Sequence, residues 1–519
     1  MVARRIHDAT RDCGRERAVQ IITDDRAIDG AALSDRVDRA AGALAARGVG
    51  AGDCVAILLR NDIAFIEASL ACRRLGAYCV PVNWHFSAEE ILYVVADCGA
   101  RLLVAHADLL ARVADALPCP AIAVPVPPAI AAAYRLPPTV VAGDDWDSVL
   151  AAADPWTLPS PPAAESLIYT SGTSGHPKGV KRQPPRPEQI AASEAMRSLI
   201  YGIGPGARVM VPAPLYHTAP NLFAHRAAAL ADLLLLPPRF DPLRLLADIA
   251  AHRITHLYAV PAMFSRLLAL SEAQRGAHDL SSLQFVLHAG GPCGPDVKAR
   301  MIDWLGPVIE EYYGSTEAGP ITHVSSREWS AYPGTVGAAI PGVEIRIVDE
   351  AGDAAPAGEV GEVQSRNPGY PDFTYLGREA DRAALDRGGY LASGDLGYLD
   401  DEGRLFLCDR KRDLVISGGV NIYPAEIEAA LQTVDGVADC AVFGIPDEIN
   451  GEALLAVVEP VAGAALTPEA IGAALRSRIA SYKVPRHIIL TDALPREETG
   501  KIRKRLLRDP YWAAAGRSI

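Results

Sequence analysis

Apolar runs of strand length alternate with helix-period segments along this chain, and that rhythm leaves few folds open. Leu33, Val37, Ala41, Leu44 and Ala45 recur at helical spacing, with Gly48 as the stop. Val55 to Leu59 is a β-like run, followed by a helical segment from Asp62 to Leu75 and a strand at Tyr78 to Val82. Ser87-Ala88-Glu89-Glu90 has the form of a capping box opening the next helix, and Leu102 to Ala105 is again strand-like. The order returns later as helix Pro242 to His252, strand His256 to Val260, helix Pro261 to Leu270, strand Phe285 to His288 and a helix ending near Trp304. Alternation of this kind predicts mostly parallel, doubly wound sheets.

Two stretches break the rhythm. Leu117 to Pro162, rich in Pro and Ala and weakly periodic, reads as an irregular, partly extended connection. Between residues 341 and 410, short runs such as Glu344 to Val348, Gly361-Glu362-Val363 and Arg404 to Leu407 are separated by Gly, Asp and Pro. That is the pattern of a small β-barrel or β-rich subdomain. After Asp413 a compact α+β unit is expected, with helices at Pro424 to Leu431 and Pro468 to Ala480 and strands at Asp439 to Phe443 and Leu454 to Val458. At 519 residues the chain is too long for one compact core, so two or more domains are expected.

A formal net charge of −13 argues against nucleic acid as a partner, which demands a basic face. Small anionic ligands need only a local positive site. Nine cysteines with no Cys-x-x-Cys and no metal-ligand spacing fit free thiols in a reducing cytoplasm. No apolar signal region opens the sequence, and no apolar run is long enough to span a bilayer. The sequence does not specify oligomeric state, and a homodimer stays open.

Chemistry concentrates in a few blocks. Residues 169 to 179 read Tyr-Thr-Ser-Gly-Thr-Ser-Gly-His-Pro-Lys-Gly. Hydroxyls of Thr170, Ser171, Thr173 and Ser174 and backbone N–H groups can donate to phosphate oxygens. Gly172 and Gly175 let the backbone approach, and Lys178 adds a point charge. It is not the common Walker loop, because Pro177 stands where the second Gly would be. No helix clearly follows, so side-chain hydroxyls carry more of the contact than a helix dipole would. Tyr312-Tyr313-Gly314-Ser315-Thr316-Glu317 follows the strand-like Val308-Ile309 and offers an aromatic face, hydroxyls and a carboxylate suited to Mg²⁺. Gly290-Gly291-Pro292 at another strand end gives a backbone wall for a flat ring or an acyl chain. Asp395 between Gly394 and Gly397 can accept from two ribose hydroxyls, although a Gly-flanked Asp is more often a turn-former.

These blocks, in this order, resemble the signatures of the AMP-forming adenylating enzymes. That superfamily holds acyl-CoA synthetases, adenylation domains of nonribosomal peptide synthetases and beetle luciferases, and the resemblance covers nearly the whole chain. By resemblance, the 169–179 loop binds ATP phosphates, Gly290 to Pro292 and the Tyr312 to Ser315 stretch flank adenine, Thr316 touches the α-phosphate, and Glu317 holds Mg²⁺. Asp395 and Arg410 match the ribose contacts. Arg412 stands where the family keeps a hinge residue, usually Asp or Lys. Gly418 and Gly419 in Ser417-Gly418-Gly419 match the tunnel for the pantetheine arm of CoA. Lys501 in Thr499-Gly500-Lys501 matches the lysine that bridges substrate carboxylate and α-phosphate. Pro214-Leu215-Tyr216-His217 resembles the block beside the acyl pocket, and His217, where amino-acid-activating domains tend to carry Asp, argues against an α-amino acid.

The expectation is therefore a large N-terminal domain, residues 1–411, of two doubly wound α/β subdomains plus a β-rich one. A mobile α+β domain, residues 412–519, carries the catalytic lysine. The expected reaction is ATP-dependent: a carboxylate forms an acyl-adenylate with release of pyrophosphate, and CoA then takes the acyl group. An amide ligase, giving the adenylate to an amine, is the rival.

Overall fold

The structure is a computed structural model and describes residues 19–138, 145–161, 165–170, 177–418, 420–496 and 502–515. Local sequence chemistry sets many element boundaries. Asp62 caps Ile63–Leu75 by accepting from the Ile63 N–H, and Gly76 ends that helix in the left-handed region at φ 69°. The Ser87/Glu90 capping box opens Ala88–Asp97 as predicted. Helix Gly30–Ala46 buries Leu33, Val37, Ala41 and Leu44 along one stripe.

A four-stranded parallel sheet runs in the order Tyr78–Pro81, Cys54–Leu58, Ala100–His106, Ala121–Val124. The last of these strands corrects the irregular reading of Leu117 to Pro162. That stretch also holds helices Pro128–Tyr134 and Trp146–Ala152. Elements this short show no period in a Pro/Ala-rich background, yet Trp146 is fully buried and donates its indole N–H to Glu67 at 2.7 Å.

Among the described residues, a second sheet path has thirteen strands. Its parallel half joins Gln20–Ile22, Leu233–Leu235, Arg208–Met210, His256–Ala259, Phe285–His288 and Ile309–Ser315. From Ile309–Ser315 onward it turns antiparallel, through Gly319–Ser325, Thr335–Ala339, Arg404–Arg410, Leu391–Leu399, Gly361–Arg366 and Glu344–Val348. The β-rich region is thus not a closed barrel: its strands continue the main sheet. A small antiparallel sheet joins Ile168–Thr170, Lys178–Arg182 and Phe373–Tyr375. Toward the C-terminus, Val415–Ser417, Val420–Ile422, Gly451–Pro460, Val437–Asp447 and His487–Leu490 form a five-stranded sheet with helices Pro424–Gln432 and Pro468–Arg476, built on its own core of Ile427, Leu431, Val442, Leu454 and Ile471. No described helix is long and apolar enough to cross a membrane.

Candidate active site

The Tyr-Tyr-Gly-Ser-Thr-Glu block is not a turn after a strand. Tyr312 to Ser315 are the tail of strand Ile309–Ser315, and Thr316-Glu317-Ala318 turns back into Gly319–Ser325. Gly314 is required by a close approach: a Cβ there would lie 2.3 Å from the Gly319 carbonyl oxygen. Ser315 closes the turn by accepting from the Ala318 N–H at 2.9 Å. The turn therefore lifts the Thr316 and Glu317 side chains at a sheet end, where α/β folds collect ligands.

The phosphate-loop candidate is a hairpin. Thr170 ends one strand, Lys178 begins the next, and residues 171–176 between them, Ser171, Gly172, Thr173, Ser174 and Gly175 included, lie outside the described residues. The structure brings this hairpin to the turn. Thr170 Oγ1 donates to Glu317 Oε1 at 3.3 Å, and Tyr375 OH donates to the same oxygen at 2.9 Å. Burial, then the Glu317 charge, holds the Tyr375 phenol above its ordinary value, so it stays a donor. Lys178 Nζ sits 2.7 Å from Asp381 Oδ2 and 5.3 Å from the centre of the Tyr375 ring. Thr316 Oγ1 shares a 2.7 Å hydrogen bond with Thr218 Oγ1, next to His217 at the N-terminus of helix Thr218–Leu230. His217 packs on Tyr216 with ring centres 4.5 Å apart.

A second cluster lies farther along the sheet. Tyr313 OH donates to Asp395 Oδ2 at 2.6 Å, and Arg410 Nε lies 3.3 Å from Asp395 Oδ1 across paired strands. Gly290, Gly291 and Pro292 are exposed just past strand Phe285–His288, and a Cβ on Gly291 would project into open space. That backbone wall is free to meet a flat ring. One step down the same strands, His288 faces Glu311 in register, and the fully buried Lys298 donates to Glu311 Oε2 at 2.5 Å. Alternate strand residues share a face, so this ion pair forms the layer beneath Gly290 and Tyr313. Gly418 sits at φ 59° in the turn between Val415–Ser417 and Val420–Ile422, its N–H donating to the Asn450 carbonyl at 2.8 Å. Gly419 and Lys501 lie outside the described residues.

Arg182, Thr218, Tyr375 and Asp381 belong to this neighbourhood, and the sequence reading missed all four. Thr218 had a signal, a hydroxyl directly after the Pro-Leu-Tyr-His block. The other three reach the site only through tertiary contacts: Tyr375 by pairing of Phe373–Tyr375 with Lys178–Arg182, Arg182 by its bonds to the Thr316 and Glu317 carbonyls, and Asp381 by its ion pair with Lys178.

Among the described residues, no group of three or more His, Cys, Asp or Glu could hold a metal unaided. Glu317, a single hard oxygen donor beside the phosphate hairpin, suits a Mg²⁺ whose other oxygens come from nucleotide phosphates and water.

Residues 7–370 match the AMP-binding enzyme family, and residues 426–501 match the AMP-binding enzyme C-terminal domain. The chain belongs to the AMP-binding enzyme family. This AMP-binding enzyme is 34% identical to a feruloyl-CoA synthase of Amycolatopsis, over 92% of this chain and 93% of that protein. It is 33% identical to an indoleacetate–CoA ligase of Aromatoleum aromaticum, over 92% of each. The solved amide bond synthetase McbA from Marinactinospora thermotolerans superposes with a TM-score of 0.82 at 28% identity, covering 98% of this chain and 99% of that one.

Buried histidines give this AMP-binding enzyme an acid limit. Burial lowers His225, His256 and His288, and brings His225 to about 4, while its Nδ1 bonds the Asn221 carbonyl at 2.7 Å. At these three histidines the folded protein therefore holds fewer protons than the unfolded chain below about pH 6.5. Stability rises with pH across the interval from about 4 to 6.5. For His225 alone the loss approaches on the order of 3 kcal/mol at the acid end. The melting temperature is expected to fall steadily as pH drops below 6.5, and His225→Asn to flatten that fall. Identical slopes in both proteins would remove His225 from the account.

Proposed function

We propose that this enzyme activates a carboxylic acid with ATP and passes the acyl group to the thiol of CoA. The observation that carries the reading is the convergence of four separate motifs. The Thr170–Lys178 hairpin meets the Thr316–Glu317 turn, and Asp395 bonds Tyr313, whose strand pairs with the one that ends just before Gly290–Gly291. Adenine lies along that wall against Tyr313, the Asp395 carboxylate accepts from the ribose, with Arg410 beside it, and the phosphates run toward Lys178 and Thr316. Glu317 holds Mg²⁺, which neutralises phosphate charge when bound. Thr316 and Lys501 stabilise charge as the acid's oxygen attacks the α-phosphorus and pyrophosphate leaves. His217 stands beside Thr316 at the acyl side. CoA then attacks the acyl carbon and AMP departs. Residues 1–411 form the adenylating part, and residues 412–519 turn about Arg412 between the two steps. The cysteine usage suits a cytoplasmic enzyme.

Both curated relatives carry an aromatic acid in their names, so aromatic acids are the first substrates to try. McbA keeps the amine acceptor as the second reading. The deciding experiment supplies ATP, Mg²⁺ and a panel of arylalkenoic and arylacetic acids, with either CoA or a mixture of amines, and identifies products by mass. Acid-dependent pyrophosphate release with acyl-CoA formation is the expected result. Amide without thioester would replace the CoA reading, and no pyrophosphate with any acid would overturn adenylation itself.

A further inference from the structure

Arg182 ends the strand that begins at Lys178, and its side chain is 7% exposed. One of its terminal nitrogens donates to two consecutive backbone carbonyls, that of Thr316 and that of Glu317, the latter at 2.8 Å. The other terminal nitrogen donates to the Pro371 carbonyl at 2.8 Å, on the segment leading into Phe373–Tyr375. The guanidinium lies over the Tyr370 ring, 4.3 Å from its centre. Glu165, 3.8 Å from Arg182 Nε and also ion-paired with Arg197, supplies the counter-charge. Arg182 thus grips the peptide groups on which both Thr316 and Glu317 depend, while rooted in the strand that carries Lys178. Only a planar fork donates along two edges at once. A Lys would keep the charge but could not reproduce the pattern.

We propose that Arg182 is a positioning residue that fixes the Thr316–Glu317 turn against the phosphate hairpin, and so governs adenylation rather than acyl transfer. The inference rests on the proposed roles of Thr316, Glu317 and Lys178. Its physical basis is that Arg182 touches no reacting atom in that arrangement. It acts through the turn's backbone, so its loss should disturb the site that needs Glu317 and Mg²⁺ and leave the acceptor step alone. A buried guanidinium with a stacked face and four polar partners also serves stability, so activity alone would not separate the two roles.

The test measures three readouts on Arg182→Lys and Arg182→Ala, with Glu317→Gln alongside. These are acid-dependent pyrophosphate release, the Mg²⁺ concentration at half-maximal rate, and acyl transfer from synthetic acyl-adenylate. Loss of charge-assisted bonds to the turn predicts pyrophosphate release slowed about tenfold to a hundredfold in Arg182→Lys. The Mg²⁺ requirement should rise severalfold, and transfer from the adenylate should stay near wild type. Millimolar guanidinium should restore part of the Arg182→Ala pyrophosphate release, at concentrations that leave the wild type unchanged. Equal loss in both half-reactions with no guanidinium rescue would overturn the proposal and make Arg182 a stabilising residue only. An unchanged Mg²⁺ requirement in Arg182→Lys beside a raised one in Glu317→Gln would also overturn it, leaving the proposed function standing. If Glu317→Gln itself leaves the Mg²⁺ requirement unchanged, the Glu317 assignment fails and this inference with it.

Discussion

Lys501→Ala is expected to slow acid-dependent pyrophosphate release by about a hundredfold or more, comparable to the loss of one preorganised donor to a developing charge. The described residues on either side of it in the sequence are tied together. Arg496 and Ile502 form an isolated antiparallel bridge, and the Arg503 N–H donates to the Pro495 carbonyl at 2.8 Å. Arg496 is in turn ion-paired to Asp439 and, at 3.0 Å, to Glu459. The second half-reaction, started from synthetic acyl-adenylate, should be largely spared, because the carboxylate and α-phosphate that Lys501 would bridge are already joined in the adenylate. Rapid-quench measurement of the two halves checks this. Equal losses in both would remove Lys501 from adenylation.

Gly419→Leu should produce the opposite split, with adenylate formation nearly intact and thioester formation abolished. Its neighbour Gly418 adopts φ 59°, and its N–H donates to the Asn450 carbonyl. A pantetheine arm is narrow and must pass close to backbone, so a leucine side chain would occupy its path. Separate assays of pyrophosphate release and acyl-CoA product read the two steps. A Gly419→Leu enzyme making thioester at the normal rate would move the arm elsewhere.

The sequence displays this fold wherever an element is long enough to show its own period. Pro242–His252 and Phe285–His288 lie where periodicity and punctuation put them, because Asp241 caps the helix and a Pro follows Gly291 after the strand. Strand Ala121–Val124 was hidden: a short buried strand carries no alternation, and prolines surround it. Residues 341 to 410 read from sequence as a small β-barrel or β-rich subdomain; that their strands continue the main sheet is a property of long-range pairing, which local pattern does not encode. The candidate site divides the same way. Thr170, Lys178, Glu317 and Asp395 stand in contiguous motifs whose residue types announce their chemistry. Tyr375 and Arg182 do not. Tyr375 lies in an unremarkable Phe-Thr-Tyr run, and Arg182 in a basic stretch that ordinarily reads as a solvated face. Register against the hairpin brings Tyr375 to Glu317, and Arg182 reaches the Glu317 carbonyl from within the hairpin strand itself.

Asp409 lies in strand Arg404–Arg410, and its Oδ2 accepts from the Ala425 N–H at 2.8 Å, at the first turn of helix Pro424–Gln432. The two partners stand on opposite sides of Arg412. In the proposed cycle, a turn about that residue draws them apart, so this bond acts as a latch on one of the two postures. A hydrogen bond to a carboxylate contributes about 1.5–3 kcal/mol, which weights a two-state equilibrium roughly ten- to a hundredfold. In that proposed cycle, the balance between the two postures would depend in part on the Asp409 carboxylate.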